Sequence, residues 1–175
     1  VWRAEDGFLR SVGLGDQDPP LSIVLDDQGI YYDASVSSKV ETLIGRGHST
    51  DEQARATALR TLWCKGRLSK YNHAREARPP MDGPFVLVVD QTFGDASIHY
   101  GMADVGSFAR MLEAALDEHP DLPVLLKVHP DVIAGRKRGH FESLTPGQAA
   151  RVRVLASDAH PCALLEAAHS VYTVT

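Results

Sequence analysis

The stretch Phe85–Tyr100, FVLVVDQTFGDASIHY, decides the fold. Phe85 to Val89 are five apolar residues in a row, rich in Val, and suit a strand covered on both faces. Asp90 and Asp95 follow in a polar loop. A carboxylate just past the C-terminal end of such a strand sits where open α/β sheets bind ligands. A second apolar run, Val124–Val128, ends in His129-Pro130. Between the two, Val105–Leu116 places Phe108, Met111, Leu112, Ala115 and Leu116 on one helical face. Strand, helix and parallel strand form a right-handed βαβ unit. Its two strand ends bring an acid and a histidine to one crevice edge. Lys127 and His129 are two apart and share a face, so both can meet an anion.

The flanking sequence extends this pattern. Val152–Leu155 reads as another strand, Pro161 as the start of a helix over Ala163–His169, and Val171–Thr175 as a further buried strand. His160 reads as a helix-start residue rather than a site residue. Upstream, Glu5-Asp6-Gly7 is flanked by Arg3 and Arg10. It reads as a tight turn with surface ion pairs or as a carboxylate pair for acid–base work. Asp16-Gln17-Asp18 has the letters of a metal-binding pair of acids, but Pro19-Pro20 make it a loop. Leu21–Leu25 and Ile30–Tyr32 read as a hairpin around Asp26–Gly29. Ser37–Ile44 is a short helix stopped by Gly45. Ser49 and Glu52 have the spacing of a capping box. Ala54, Ala58, Leu59, Leu62 and Trp63 follow as a core face, with Cys64 buried or half-buried beside it.

Bulk composition narrows the function classes. A net charge of −5 argues against a general nucleic-acid binder, which needs a basic face. Cys64 and Cys162 form no metal-ligand pattern and no disulfide framework, so a reducing cytoplasm is expected. No stretch approaches the roughly 20 apolar residues of a membrane helix. Arg136-Lys137-Arg138, between glycines, make a basic loop suited to an anion or to peripheral contact with an anionic inner-membrane surface. The chain opens at Val1 and closes on a strand-like run, which suggests an internal segment of a longer protein.

Six motifs occur in order: R-x-E-D-G-F-L-R-S at Arg3–Ser11, S-K-Y-N at Ser69–Asn72, V-D-Q-T-F-G-D-A-S-I at Val89–Ile98, K-V-H-P at Lys127–Pro130, G-R-K-R-G-H at Gly135–His140, and V-Y-T-V-T at Val171–Thr175. Together they closely resemble the capsular polysaccharide biosynthesis and export proteins of the KpsC type. That resemblance implies a retaining β-Kdo glycosyltransferase that uses CMP-Kdo, with a phosphatidylglycerol-type lipid acceptor and capsule export proteins as further partners. It implies an α/β fold: a Rossmann-like parallel sheet with flanking helices plus a small β-hairpin, part of a GT-B-like enzyme. Residues 1–80 form an N-terminal portion and residues 81–175 a donor-binding portion, truncated at its C-terminus.

By the same resemblance Asp95 is the candidate nucleophile, and Glu5 the candidate acid/base with Asp6 competing. His129, Pro130, Lys127, Gln91 and Ser97 are the candidate donor-binding residues. No metal is expected, because the leaving group is a nucleoside monophosphate. The truncated segment alone is expected to bind CMP weakly or not at all. A transferase for another CMP-linked acidic sugar, such as sialic acid, and a non-catalytic domain of the export machinery remain as alternatives.

Overall fold

The computed structural model describes residues 1–15, 18–157 and 159–175. Of the acidic pair before Pro19, Asp16 lies outside the described residues, as does Asp158 before Pro161. The chain divides into two compact units, Val1–Arg75 and Glu76–Thr175.

The first unit holds β1 (Arg3–Asp6), β2 (Ile23–Asp26), α1 (Lys39–Gly45) and α2 (Thr50–Lys65). β1 and β2 pair antiparallel, with Glu5 opposite Val24 and Asp6 opposite Ile23. The small antiparallel sheet is present, but its strands differ from those the sequence suggested. Glu5 and Asp6 lie on a strand rather than in a turn, and Ile30–Tyr32 is not a strand. The reason lies at Asp26, whose buried carboxylate accepts the N–H groups of Gln28, Gly29 and Lys39. Those bonds fold the chain into a compact turn where a second hairpin strand would run.

Both helices start as their letters dictate. Ser38 with Glu41, and Ser49 with Glu52, form complete capping boxes. The apolar stripe of α2 is a different matter. No α2 residue is buried, Leu59 and Leu62 are exposed, and Cys64 is exposed too. The core face that the spacing of Ala54, Ala58, Leu59, Leu62 and Trp63 suggested is therefore not one: the helix carries polar residues all round, and the described residues do not cover it.

The second unit holds β3 (Phe85–Val89), α3 (Ala96–Tyr100), α4 (Val105–Glu118), β4 (Val124–Lys127), α5 (Pro130–Ile133), α6 (Pro146–Ala149), β5 (Val152–Leu155), α7 (Pro161–Ala167) and β6 (Ala168–Tyr172). The sheet order is β5-β4-β3-β6, and every neighbouring pair is parallel. The chain therefore winds outward from β3 through β4 to β5, then returns to the other side of β3. That reversal makes a topological switch point between β3 and β6, the place where such sheets bind ligands.

Alternation along β3 separates two cores. Val86 and Val88 pack with Phe108, Met111, Leu112 and Ala115 of α4 on one face. Phe85 and Leu87 pack with Leu125, Leu155 and Leu164 on the other. The α4 side is also joined to β6 by a hydrogen bond from the Tyr172 hydroxyl to the Glu118 carboxylate, which pushes the phenol up to about 12. Leu125, fully buried in the centre of the sheet, is a sensitive position. Leu125→Ala is expected to cost about 2–5 kcal/mol, through lost transfer energy and the cavity left behind. Denaturant unfolding checks this; a loss under about 1 kcal/mol would mean the site collapses without a void.

Candidate functional site at the sheet edge

The C-terminal ends of β3, β4 and β6 carry the candidate residues of the second unit. At the end of β3, Asp90 donates its N–H to the Lys127 carbonyl (2.9 Å), which holds the two strand ends together. Gln91 comes next and bonds across the switch point to Thr175, just beyond β6 (Nε2 to Oγ1, 2.9 Å). Ser97 Oγ lies 3.4 Å from the same threonine oxygen. Gln91 and Ser97 thus meet at one point.

Asp95 is exposed and caps α3: its Oδ1 accepts the Ser97 N–H at 2.9 Å. The turn that presents it passes through Gly94 at φ +80°, a backbone conformation that glycine adopts without strain. Asp95 also lines a cavity of ≈ 310 Å³ with Phe93, Ile98, His99, Val105 and His140. One carboxylate oxygen is therefore held by the helix start while the side chain faces open space.

His129 caps α5, and its Nδ1 accepts the Asp131 N–H at 3.1 Å. Pro130 occupies the first position of that helix, where a missing N–H costs nothing. Burial lowers the His129 pKa below its ordinary value; Asp131 and Asp95 oppose the shift, while Lys127 and Lys137 add to it. The carboxylate nearest the ring is that of Asp131, with Oδ2 3.9 Å from Nδ1. With Nδ1 used as an acceptor, the neutral ring carries its proton on Nε2. The result is a fixed neutral N–H donor just past the end of β4, where Lys127 closes the strand, and both residue types suit a phosphate.

Glu5 and Asp6 belong to the first unit. Asp6 Oδ2 is bonded to Arg10 Nε at 2.6 Å, and Glu5 Oε1 accepts the Asp6 N–H at 2.9 Å. Arg10 is only 6% exposed and spends three more donors on Ser11 Oγ and the carbonyls of Gly15 and Asp18. The glycine of E-D-G has a steric reason. A Cβ on Gly7 would lie 2.0 Å from Ser22 Oγ. The S-K-Y-N motif fastens the segment that follows: the Lys70 carbonyl accepts the N–H groups of Arg10 and Ser11, and Asn72 bonds the Ser11 carbonyl. Both motifs thus build one local framework around the two acids.

Three residues with parts in these sites did not stand out in the sequence. Arg10 was visible only as a flanking charge. Asp90 was visible only as an acid after a strand, and His140 only as the last letter of a basic motif. Elsewhere in the second unit, Glu76, His160 and Cys162 place ligand-type atoms within 4.8 Å of one another. The His160 nitrogen that faces Glu76, Nδ1 at 3.5 Å, is also the one that accepts the Cys162 N–H and caps α7. His160 is thus a helix-start residue, as its position before Pro161 suggested.

Comparison with known proteins places the chain in a family. The model of the capsule polysaccharide biosynthesis protein family matches residues 1–78 and 46–175. The chain is 44% identical to the capsule polysaccharide modification protein LipA of Neisseria meningitidis serogroup A, over 98% of this chain and 25% of that protein. It is 38% identical to the lipopolysaccharide-processing protein LpsZ of Rhizobium meliloti, over 100% of this chain and 41% of that one. The chain therefore spans well under half the length of these relatives. Among solved structures, the β-Kdo 2,4 transferase of Thermosulfurimonas dismutans KpsC superposes with a TM-score of 0.87 at 38% identity, covering 96% of this chain and 53% of that one. The β-Kdo 2,7 transferase of the same KpsC gives a TM-score of 0.57 at 25% identity, covering 98% and 45%. No helix among the described residues is long and apolar enough to cross a membrane. With a family model that covers both units and relatives aligned along almost all of its length, the chain belongs to the capsule polysaccharide biosynthesis protein family.

Proposed function

We propose that the protein containing this chain is a glycosyltransferase that moves Kdo from CMP-Kdo to a lipid-linked acceptor with retention of configuration. The observation that carries this reading is that Asp95, Lys127 and His129 lie at or just past the C-terminal ends of the adjacent strands β3 and β4, beside the switch point. The two structural neighbours named as β-Kdo transferases support the choice of sugar.

In the first step an Asp95 oxygen attacks the anomeric carbon of the sugar. The bond to the phosphate oxygen breaks, and its electron pair leaves with CMP. His129 Nε2–H and Lys127 neutralise the phosphate as its charge grows. In the second step an acceptor hydroxyl attacks the same carbon and frees Asp95. A general base, Glu5 in this reading, takes the hydroxyl proton. Two inversions give net retention, as in the two-carboxylate chemistry of retaining glycosidases. CMP is a stable monophosphate leaving group, so no step calls for a metal.

The test is transfer by the full-length protein with CMP-Kdo or CMP-sialic acid as donor, in EDTA, on a phosphatidylglycerol-linked acceptor. Transfer from CMP-Kdo alone, unaffected by EDTA, is expected. Preference for the sialic acid donor would move the protein to the other CMP-sugar class, and no transfer from either would favour a non-catalytic role. His129 gives a second check. His129→Ala should raise the donor KM by about 10- to 100-fold, the loss of one hydrogen bond to a charged group. Because burial lowers the His129 pKa below its ordinary value, the ring is already neutral at pH 7, and the donor KM should stay level from pH 7 to 8.5. A wild-type KM that climbs over that range, and no longer does so in His129→Ala, would mean that an imidazolium binds the donor.

A further inference from the structure

The basic loop after α5 does not hang free. It returns to the end of β3 and is fastened there by a residue that touches no ligand in the mechanism above. Asp90 is 2% exposed. Its Oδ1 accepts the N–H of Gln91 at 2.9 Å and the N–H of His140 at 3.1 Å. Gly139 lies so close that a Cβ there would sit 2.3 Å from Asp90 Oδ2. Two further contacts fix the same segment. The Phe93 N–H donates to the Arg138 carbonyl at 2.7 Å, and the Arg138 guanidinium lies 5.2 Å above the Phe93 ring. The His140 ring stacks on Phe108 at 3.5 Å and 5°.

These bonds carry a cost that packing alone does not explain. Burial raises the Asp90 pKa, and the two backbone N–H groups offset it only in part. Both His140 ring nitrogens are enclosed without a hydrogen-bond partner among the described residues. A strap held down by a buried acid and an unsatisfied imidazole is destabilised relative to an apolar loop of the same length. Its position must therefore serve another purpose. The same strap carries Lys137, whose N–H donates at 3.1 Å to the carbonyl of Asp131 in the helix that His129 caps, and the loop that it fastens to, 90–95, carries Gln91 and Asp95.

We propose that Asp90 is a positioning residue: its buried carboxylate docks the cationic strap Arg136–His140 onto the end of β3, and so holds Lys137 within reach of the anionic phosphate of the donor. Gly139 is the complementary half of the device, because only a residue without a Cβ lets the strap close. The inference rests on the reading of the ligand as a nucleotide-sugar phosphate.

The experiment compares wild type with Gly139→Ala, Asp90→Ala, Lys137→Ala and the Gly139→Ala/Lys137→Ala pair in the full-length protein. Hydrogen exchange at the His140 amide should be slow in wild type and Lys137→Ala, and fast in Gly139→Ala and Asp90→Ala. Gly139→Ala and Lys137→Ala should each raise the donor KM by about 10-fold, with the acceptor KM unchanged. The pair should be no worse than either variant alone, because both lose the same contact. Unchanged exchange in Gly139→Ala would overturn the docking. Donor and acceptor KM moving together with a fall in Tm would reduce the strap to a structural element, and additive effects in the pair would separate it from Lys137. If wild type turns over no CMP-Kdo, the proposed function fails by itself. CMP titration of the same variants then decides the strap: equal CMP affinity in wild type and Gly139→Ala would overturn it.

Discussion

Asp95→Asn is expected to lower kcat for transfer by about 10⁴-fold or more, the scale seen when a nucleophile is removed from a catalytic group that acts as a unit. The substitution is well suited to its purpose. Asp95 caps α3 through the Ser97 N–H, and asparagine caps a helix as well as aspartate does. The helix start, the Gly94 turn and the cavity should therefore survive while the attacking oxygen is lost. Donor KM should change little, because the phosphate contacts assigned to His129 and Lys127 remain. Mass spectrometry supplies the second readout. Wild type given donor without acceptor should carry one sugar on the peptide containing Asp95, and the variant none. Transfer within tenfold of wild type, with no adduct on the wild-type peptide, would remove Asp95 from the nucleophile's role and with it the double displacement.

What the sequence revealed about this site follows the range of the forces involved. β3 and β4 were legible because a run such as Phe85–Val88, buried on both faces, needs only local composition to be recognised. The capping boxes at Ser38 and Ser49 were equally local. The pairing of β1 with β2 was not, because the alternation of Arg3–Asp6 is masked by its charges and its partner lies about twenty residues on. Nor was the exposure of α2, since the spacing of a few apolar residues does not say whether anything covers them. In the site itself, Asp95 and His129 were legible as residues at strand ends. The strap was not, because Asp90 and His140 are fifty positions apart and what joins them is a backbone N–H and a missing Cβ. Neither leaves a side-chain signature.

The two acids of E-D-G separate on the same kind of evidence. Glu5→Gln is expected to lower kcat by about 10²–10⁴-fold, the usual contribution of a positioned general base. Asp6→Asn should lower it much less and should instead destabilise the fold. Asp6 is bound to Arg10, and the Arg10 guanidinium is held in place by three further bonds, to Ser11, Gly15 and Asp18. Asp6 is thus the counter-charge of a buried guanidinium. Asp6→Asn should therefore lose about 1–3 kcal/mol in denaturant unfolding, the range for a hydrogen bond to a charged group. Glu5 has one oxygen on the Asp6 N–H and its other oxygen, Oε2, without a partner among the described residues. A base needs such an available oxygen. Rate and stability together make the assignment sharp: Glu5→Gln should lose rate at unchanged stability, while Asp6→Asn should lose stability. The reverse pattern, with Asp6→Asn losing the rate at unchanged stability, would transfer the role of base to Asp6.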